Sequence, residues 1–236
     1  MKLLIVGSDK IFAIENFYVK YLRVLDVEVV QFAAHSRFID YHQRSFLNKV
    51  LLKLELSGVY EKINRELREI IVTEQPDVVW IFKGMEIFPH TLELIKRGNV
   101  KLVNYNPDNP FLFSGRGSGN KNITDSLNYY DLHFTYNLAI KRQLEKDYNA
   151  TVRLLPFGFD ISDELFAVCQ LEREILEACF LGNPDQERAA FILSLANKGI
   201  EIAVYGNDWD KFVTHTSIKI HQPVYEIGRA SCREEC

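Results

Sequence analysis

A carboxylate held between two prolines is the most chemically suggestive feature of the chain. The segment Asn106-Pro107-Asp108-Asn109-Pro110 joins a potential base to two amides and two rings that fix the backbone. A base whose flanks are stiff is already placed when a hydroxyl arrives. Asp108 is therefore the leading candidate for a general base or hydroxyl acceptor, with Asn106 and Asn109 as substrate-binding partners. The same residue types also build Asx turns, in which Asp108 would bond to its own backbone. Proline gives nothing to a β-ladder and steers its predecessor away from helix. A strand must end before Asn106 and open into the polar run that reaches Asn120.

Other polar groups sit at the ends of other apolar runs. Gly7-Ser8-Asp9 follows the first run and lacks the further glycines of a dinucleotide fingerprint. A helix start beyond it could hold an anion, with Ser8 as a substrate-binding candidate and Asp9 as a helix cap. Lys83-Gly84-Met85-Glu86 follows the third run. There Lys83 and the glutamate either orient a polar substrate or sit in a solvated turn. Gly182-Asn183 and Gly206-Asn207 place glycines where a phosphate could approach the backbone. Arg188 could reach a diphosphate, and Trp209 could stack on a base. Taken alone, these read as turn glycines, a solvated arginine and a partly buried tryptophan. The 6 histidines show no ligand spacing, and no zincin, P-loop or nucleophile-elbow motif occurs, so no metal site is expected. Cys169 and Cys179 read as small core residues.

These positions are set by alternating strands and helices. Lys2–Val6, Val27–Phe32, Asp77–Phe82, Val100–Tyr105, Leu132–Tyr136 and Val152–Leu155 are short apolar, β-branched runs. Such runs fit strands covered on both faces. Helical periodicity fills Phe12–Leu25, then Ser36–Glu74 with a break at Ser57-Gly58, then Phe88–Arg97, where Gly98 suits a left-handed cap, and Leu138–Tyr148. The expected fold is α/β, a Rossmann-like doubly wound parallel sheet. Gly158 in Pro156-Phe157-Gly158-Phe159-Asp160 suits a hinge. A second strand-helix-strand unit then begins, with strands at Ala178–Leu181, Ile200–Tyr205 and Ser217–Ile220 and a helix at Glu187–Asn197 closed by Gly199. The expected division is a first domain 1–160, a linker 161–174, an incomplete second domain 175–225, and 226–236. That last stretch, EIGRASCREEC, resembles a translated sequencing-library adapter and is set aside as non-native. A unit cut short there would expose apolar surface and dissolve poorly.

Composition excludes other classes. A net charge of -4 with scattered basic residues gives no case for nucleic acid or an anionic membrane as the main partner. No apolar stretch is long enough to span a bilayer. The N-terminus is no signal peptide, so a reducing cytoplasm is the expected location.

Several motifs then line up in one order: WIFKGMEIFPHTLELIKRGNVKLVNYNPDNPF, YYDLHFTYN, LLPFGFD, CFLGNPDQER and VYGNDW. Together they resemble the CgeB-like (spore maturation protein) family of glycosyltransferases, from about Asp77 to Tyr225. The resemblance implies a GT-B glycosyltransferase: two Rossmann-like domains whose strand ends face across a cleft, with no metal or other cofactor. It implies a nucleotide-sugar donor on the second domain, at Gly182, Asn183, Arg188, Gly206, Asn207 and Trp209. It implies an acceptor on the first, at Asn106, Asp108 and Asn109. The family's further nucleotide-binding segment would lie beyond Tyr225. Two alternatives share this architecture: a non-catalytic module binding a small molecule or partner, and a nucleotide-sugar epimerase.

Overall fold

The computed structural model describes residues 1–11, 13–54, 56–98, 100–113, 119–158, 160, 163–164, 166–167 and 177–223. The chain divides into two compact units, Met1–Pro156 and Phe157–Cys236. The adapter-like stretch, Cys169, Phe159 and most of the expected linker lie outside the described residues.

In the first unit, β1 (Lys2–Val6), β2 (Glu28–Phe32), β3 (Val78–Phe82), β4 (Lys101–Tyr105), β5 (Leu132–Thr135) and β6 (Val152–Leu154) form one sheet. Every pairing is parallel and the order is β2-β1-β3-β4-β5-β6. The connecting helices are α1 (Ile14–Val24), α2 (Ala34–Arg44), α3 (Phe46–Lys53), α4 (Val59–Glu74), α5 (Pro89–Arg97), α6 (Lys121–Ser126) and α7 (Leu138–Tyr148). Unalternating strands such as LLIV and VVWIF are apolar on both faces because helices cover both. On one face Leu4, Val79, Ile81 and Leu102 pack on Leu67 of α4 and Leu92 of α5. Each such side chain, fully buried, stabilises the fold by roughly 1.5–3 kcal/mol. On the other face, Tyr18 of α1 meets Trp80, Phe82 and Tyr105 with ring centroids 4.8, 5.5 and 6.3 Å away. These tilted and edge-on contacts avoid face-to-face repulsion between the π clouds.

Several local expectations are corrected. The helical stretch before Gln75 is broken twice, because Ser45 leaves helical backbone and caps α3 through Asn48 N–H. Gly98 is not left-handed but has φ -82°, and its N–H bonds back to Ile95 in a tightened last turn. Left-handed residues follow other helices instead, at Asp26, Gln75 and Asn149, and at Gly199 as expected. Gly158 does not have a positive φ, so it supplies no special hinge geometry. Asp9 does not cap α1, which starts after Ala13 with no side-chain cap. Helix α6 and the 3-10 turn Leu127–Tyr129 had no clear periodic signal.

In the second unit, β7 (Ala178–Leu181), α8 (Gln186–Ala196), β8 (Ile202–Tyr205) and β9 (Ile218–His221) make a parallel sheet ordered β7-β8-β9. Asp185 caps α8 by accepting from Arg188 N–H. Phe180, Ile192, Ile202, Val204 and Trp209 share one core. Cys179 is exposed, contrary to expectation, because it points to the face of edge strand β7 opposite that core. Phe191 and Ile220 are exposed too, at 58% and 45%. Among the described residues no helix is long and apolar enough to cross a membrane.

One buried amide ties the first unit together. Asn64, 1% exposed on α4, donates to the carbonyls of Tyr60 and Glu86 and accepts from Phe88 N–H, at 2.8, 2.8 and 2.9 Å. Asn64→Ala strands the Glu86 carbonyl and the Phe88 N–H inside the protein. Each stranded group costs about 1–3 kcal/mol, so urea unfolding of the variant is expected to show a loss of about 2–6 kcal/mol at unchanged m.

Candidate functional site

The strand order reverses about β1. The chain steps from β1 to β2 on one side, then returns to place β3 on the other. Crossovers leave in opposite directions there, and a crevice opens beyond the strand ends. A cavity of about 430 Å³ occupies this position, lined among others by Ser8, Glu15, His35, Lys83, Glu86 and Pro107. A larger one, about 550 Å³, lies by Gln75, Asp77 and Gly98, where β3 and β4 begin. That is the end of a parallel sheet at which ligands do not collect, and the titratable groups cluster in the smaller cavity. The candidate site is therefore the smaller one.

The loop after β1 is built around Glu15. Its Oε1 accepts Ser8 N–H at 2.7 Å, and a Cβ on Gly7 would lie 2.1 Å from the same oxygen. Glycine is required here so that the carboxylate can lie against the strand end. Burial holds the Glu15 carboxyl above its usual pKa, partly offset by the backbone N–H groups that it accepts. Ser8 is 8% exposed, and its Oγ lies 3.2 Å from Ser36 Oγ. Ser36 Oγ also accepts Asp9 N–H, and Ser8 O accepts from Gln31. Ser8 thus fixes the loop as well as lining the cavity.

The loop after β3 supplies the second wall. Lys83 and Gly84 are both left-handed, with φ +59° and +94°. For lysine that conformation costs on the order of 1–2 kcal/mol, and such strain gathers at functional turns. Lys83 N–H still bonds to Tyr105 O, and Lys83 Nζ lies 2.6 Å from Asp108 Oδ2. Three residues on, Glu86 turns inward with a side chain 4% exposed and accepts from His35 Nδ1 at 2.7 Å. His35 stands in the first turn of α2, and its own N–H bonds to Gly7 O. The Glu86 hydrogen bond, ahead of the opposing effect of burial, raises the His35 pKa.

The structure brings Ser8, Lys83 and Asp108 together around this crevice. Asn106 and Asn109 do different work. Asn106 Oδ1 accepts Asp108 N–H, and Asn109 Oδ1 accepts Phe111 N–H, both at 2.9 Å. The Asx turns therefore use the asparagines, and the Asp108 carboxylate goes to Lys83. Sequence reasoning missed Glu15 and His35. Neither lies at a strand end, and the one available signal was an acidic residue in the first turn of α1.

In the second unit the six donor-side candidates are turned toward one another. Gly182 has φ +151°, and its carbonyl accepts from Trp209 Nε1 at 2.8 Å. A Cβ on Gly206 would lie 2.1 Å from that same carbonyl. Backbone packing by itself thus requires glycine at position 206. Trp209 is 1% exposed and packs edge-on to Phe180, so it offers no ring face to a base. Asn183 Oδ1 accepts Asn207 N–H. The Arg188 guanidinium is held by Asn183 O and Asp185. These residues close two adjacent strand ends into one compact turn.

No family model and no curated protein sequence matches the chain. Solved structures do. UDP-GlcNAc 2-epimerase from Neisseria meningitidis bound to UDP-GlcNAc is similar at TM-score 0.58 and 12% identity, over 97% of this chain and 74% of that one. S. aureus MnaA in a co-structure with UDP is similar at 0.55 and 14%, over 94% and 68%. An E. coli trehalose-6-phosphate structure bound with UDP-2-fluoro glucose is similar at 0.55 and 13%, over 96% and 74%. These likenesses assign the fold. The chain has the α/β architecture of GT-B-type enzymes, Rossmann-like, with a second, smaller parallel sheet.

Two outcomes test this geometry. Glu86→Gln removes the main cause of the raised His35 pKa, so NMR titration of the His35 ring is expected to move to lower pH. A raised folded-state pKa gives stability that is full below the ordinary histidine value of 6.5 and that is lost as pH rises through the folded value. The stability gap between wild type and Glu86→Gln should accordingly be widest in mildly acidic buffer and close as pH rises through the raised His35 value. Gly206→Ala should destabilise the second unit by about 1–3 kcal/mol or more in thermal unfolding, because the new methyl overlaps a backbone carbonyl.

Proposed function

We propose that the protein is a GT-B-type glycosyltransferase that moves a sugar from a nucleotide-sugar to a hydroxyl of an acceptor bound in the first unit. The observation that supports it most is the switch-point cavity. It has the Lys83–Asp108 pair on its rim and Glu86–His35 in its wall. The donor class is supported by the fold's neighbours, whose structures hold UDP, UDP-GlcNAc and UDP-2-fluoro glucose. Membership of the CgeB-like family, metal independence and a cytoplasmic location belong to the same reading.

In this mechanism Asp108, oriented by Lys83, accepts the acceptor hydroxyl's proton as its oxygen attacks the anomeric carbon. The bond from that carbon to the diphosphate breaks, and the charge leaves with the nucleotide. His35 is a second proton acceptor on the same wall. Its Nδ1 is committed to Glu86, which fixes the ring and leaves Nε2 for the exchange. Asn183, Arg188 and the glycine loops of the second unit form the donor side. There Arg188 must exchange its hold on Asp185 for the diphosphate.

An epimerase is the second reading, favoured by one observation. Two largely buried carboxylates, Glu15 and Glu86, face one cavity, an arrangement suited to moving a proton at carbon. The two separate by product. A transferase releases UDP from a UDP-sugar in proportion to added acceptor, whereas an epimerase returns an isomeric UDP-sugar with no acceptor present. Under the transferase reading, Asp108→Asn is expected to lower kcat by about 100- to 10,000-fold with little change in KM for the donor. Unchanged UDP release would remove Asp108 from the reaction.

A further inference from the structure

One surface of the first unit, away from the cavity, is unusually apolar. Helix α3 has no fully buried residue. Around it stand Phe46, Leu47, Leu54 and Leu56, exposed by 81%, 64%, 59% and 70%. No other stretch of similar length among the described residues exposes as many large apolar side chains. Arg44, Lys49 and Lys53 are exposed among them. No carboxylate among the described residues pairs with any of the three. Residues 41–54 contain neither aspartate nor glutamate, and the single acid of the stretch, Glu55, lies outside the described residues. The stretch is locally cationic, which the net charge of -4 and the scatter of basic residues along the sequence do not reveal, so an anionic surface that the overall composition gave no case for is matched here.

The helix is nevertheless held in place. Ser45 Oγ accepts Asn48 N–H at 3.1 Å, Asn48 Nδ2 donates to Tyr41 O at 2.7 Å, and Leu52 packs against the main core. An eight-residue helix is marginal in water by itself. Here it is anchored by its inner edge, while its apolar outer residues face solvent. That arrangement needs something to cover it.

The charge pattern selects among occupants. A second copy in a two-fold dimer would set the same patch against itself and bring three cations against three. An interfacial surface combines Phe and Leu with Lys and Arg, burying the former at the headgroup boundary while the latter reach the phosphates. We infer that α3 with its flanks, Arg44 to Leu56, is a docking surface for a negatively charged lipid bilayer, which the protein binds peripherally.

The test is co-sedimentation of the chain with vesicles of phosphatidylcholine containing phosphatidylglycerol, beside vesicles of phosphatidylcholine alone. Three basic residues at an anionic surface imply binding of the order of 100-fold tighter to the charged vesicles. Added salt should weaken it. Phe46→Ser with Leu47→Ser, and separately Lys49→Glu with Lys53→Glu, should each weaken binding by about tenfold or more. Circular dichroism and the thermal midpoint should hold, because these side chains face solvent. Val72→Ser, at a site 75% exposed elsewhere on the unit, should change nothing. The inference fails if the chain ignores both vesicle types or binds them equally. It fails too if both double variants still bind fully, or if the patch proves to drive self-association or capture of an acidic protein instead.

Discussion

A parallel sheet whose strand order reverses must leave a gap where its crossovers part, and the polar chemistry of the first unit is fitted to that gap. The ends of β1 and β3 run side by side, yet their connections leave in opposite directions. Backbone groups exposed there need partners other than the next strand. Glu15 takes the N–H of Ser8, Asn64 takes that of Phe88, and His35 sends its own N–H to Gly7. Two of these groups, Glu15 and His35, also form walls of the cavity.

This solution has an electrostatic cost. Glu15 and Glu86 are both buried, and the second carboxylate adds to the upward pressure on the pKa of the first. A fold seeking stability alone would place amides there, since a desolvated carboxylate with a like-charged neighbour is unfavourable at neutral pH. A left-handed lysine beside them adds backbone strain. Buried acids, a paired histidine and a strained turn converge on one crevice, and they do so nowhere else among the described residues of the first unit. Their concentration at the position where doubly wound sheets receive ligands is what gives the cavity its functional weight.

The second unit teaches the opposite lesson. Glycine and tryptophan at strand ends have the residue types of a nucleotide site, yet here they satisfy one another. The Gly182 carbonyl fills the space over Gly206 and receives the Trp209 indole. A turn that brings two strand ends this close needs a missing Cβ for packing reasons alone. Position at the carboxyl end of a strand is therefore more suggestive where a partly exposed charged pair stands beside a cavity, as Lys83 and Asp108 do.

Much of the architecture was written in local patterns. Unalternating β-branched runs fix strands covered on both faces, and the prolines at 107 and 110 fix where β4 must stop. The pairing of the prolines with Asp108 was enough to mark the loop that the Lys83 ammonium reaches. Shorter features were less legible. Gly98 gave no left-handed turn because a tightened helix end satisfied the same carbonyls, and Cys179 was exposed because it lies at the margin of the sheet, on the face of β7 opposite the core. The site itself needed the strand order. Nothing in the spacing of Glu15, His35 and Glu86 relates them, since residues 15, 35 and 86 belong to three different crossovers. They meet because β1 lies between β2 and β3, and hydrogen-bond pairing between strands distant in sequence is decided by packing of the whole sheet, never by the residues of one strand.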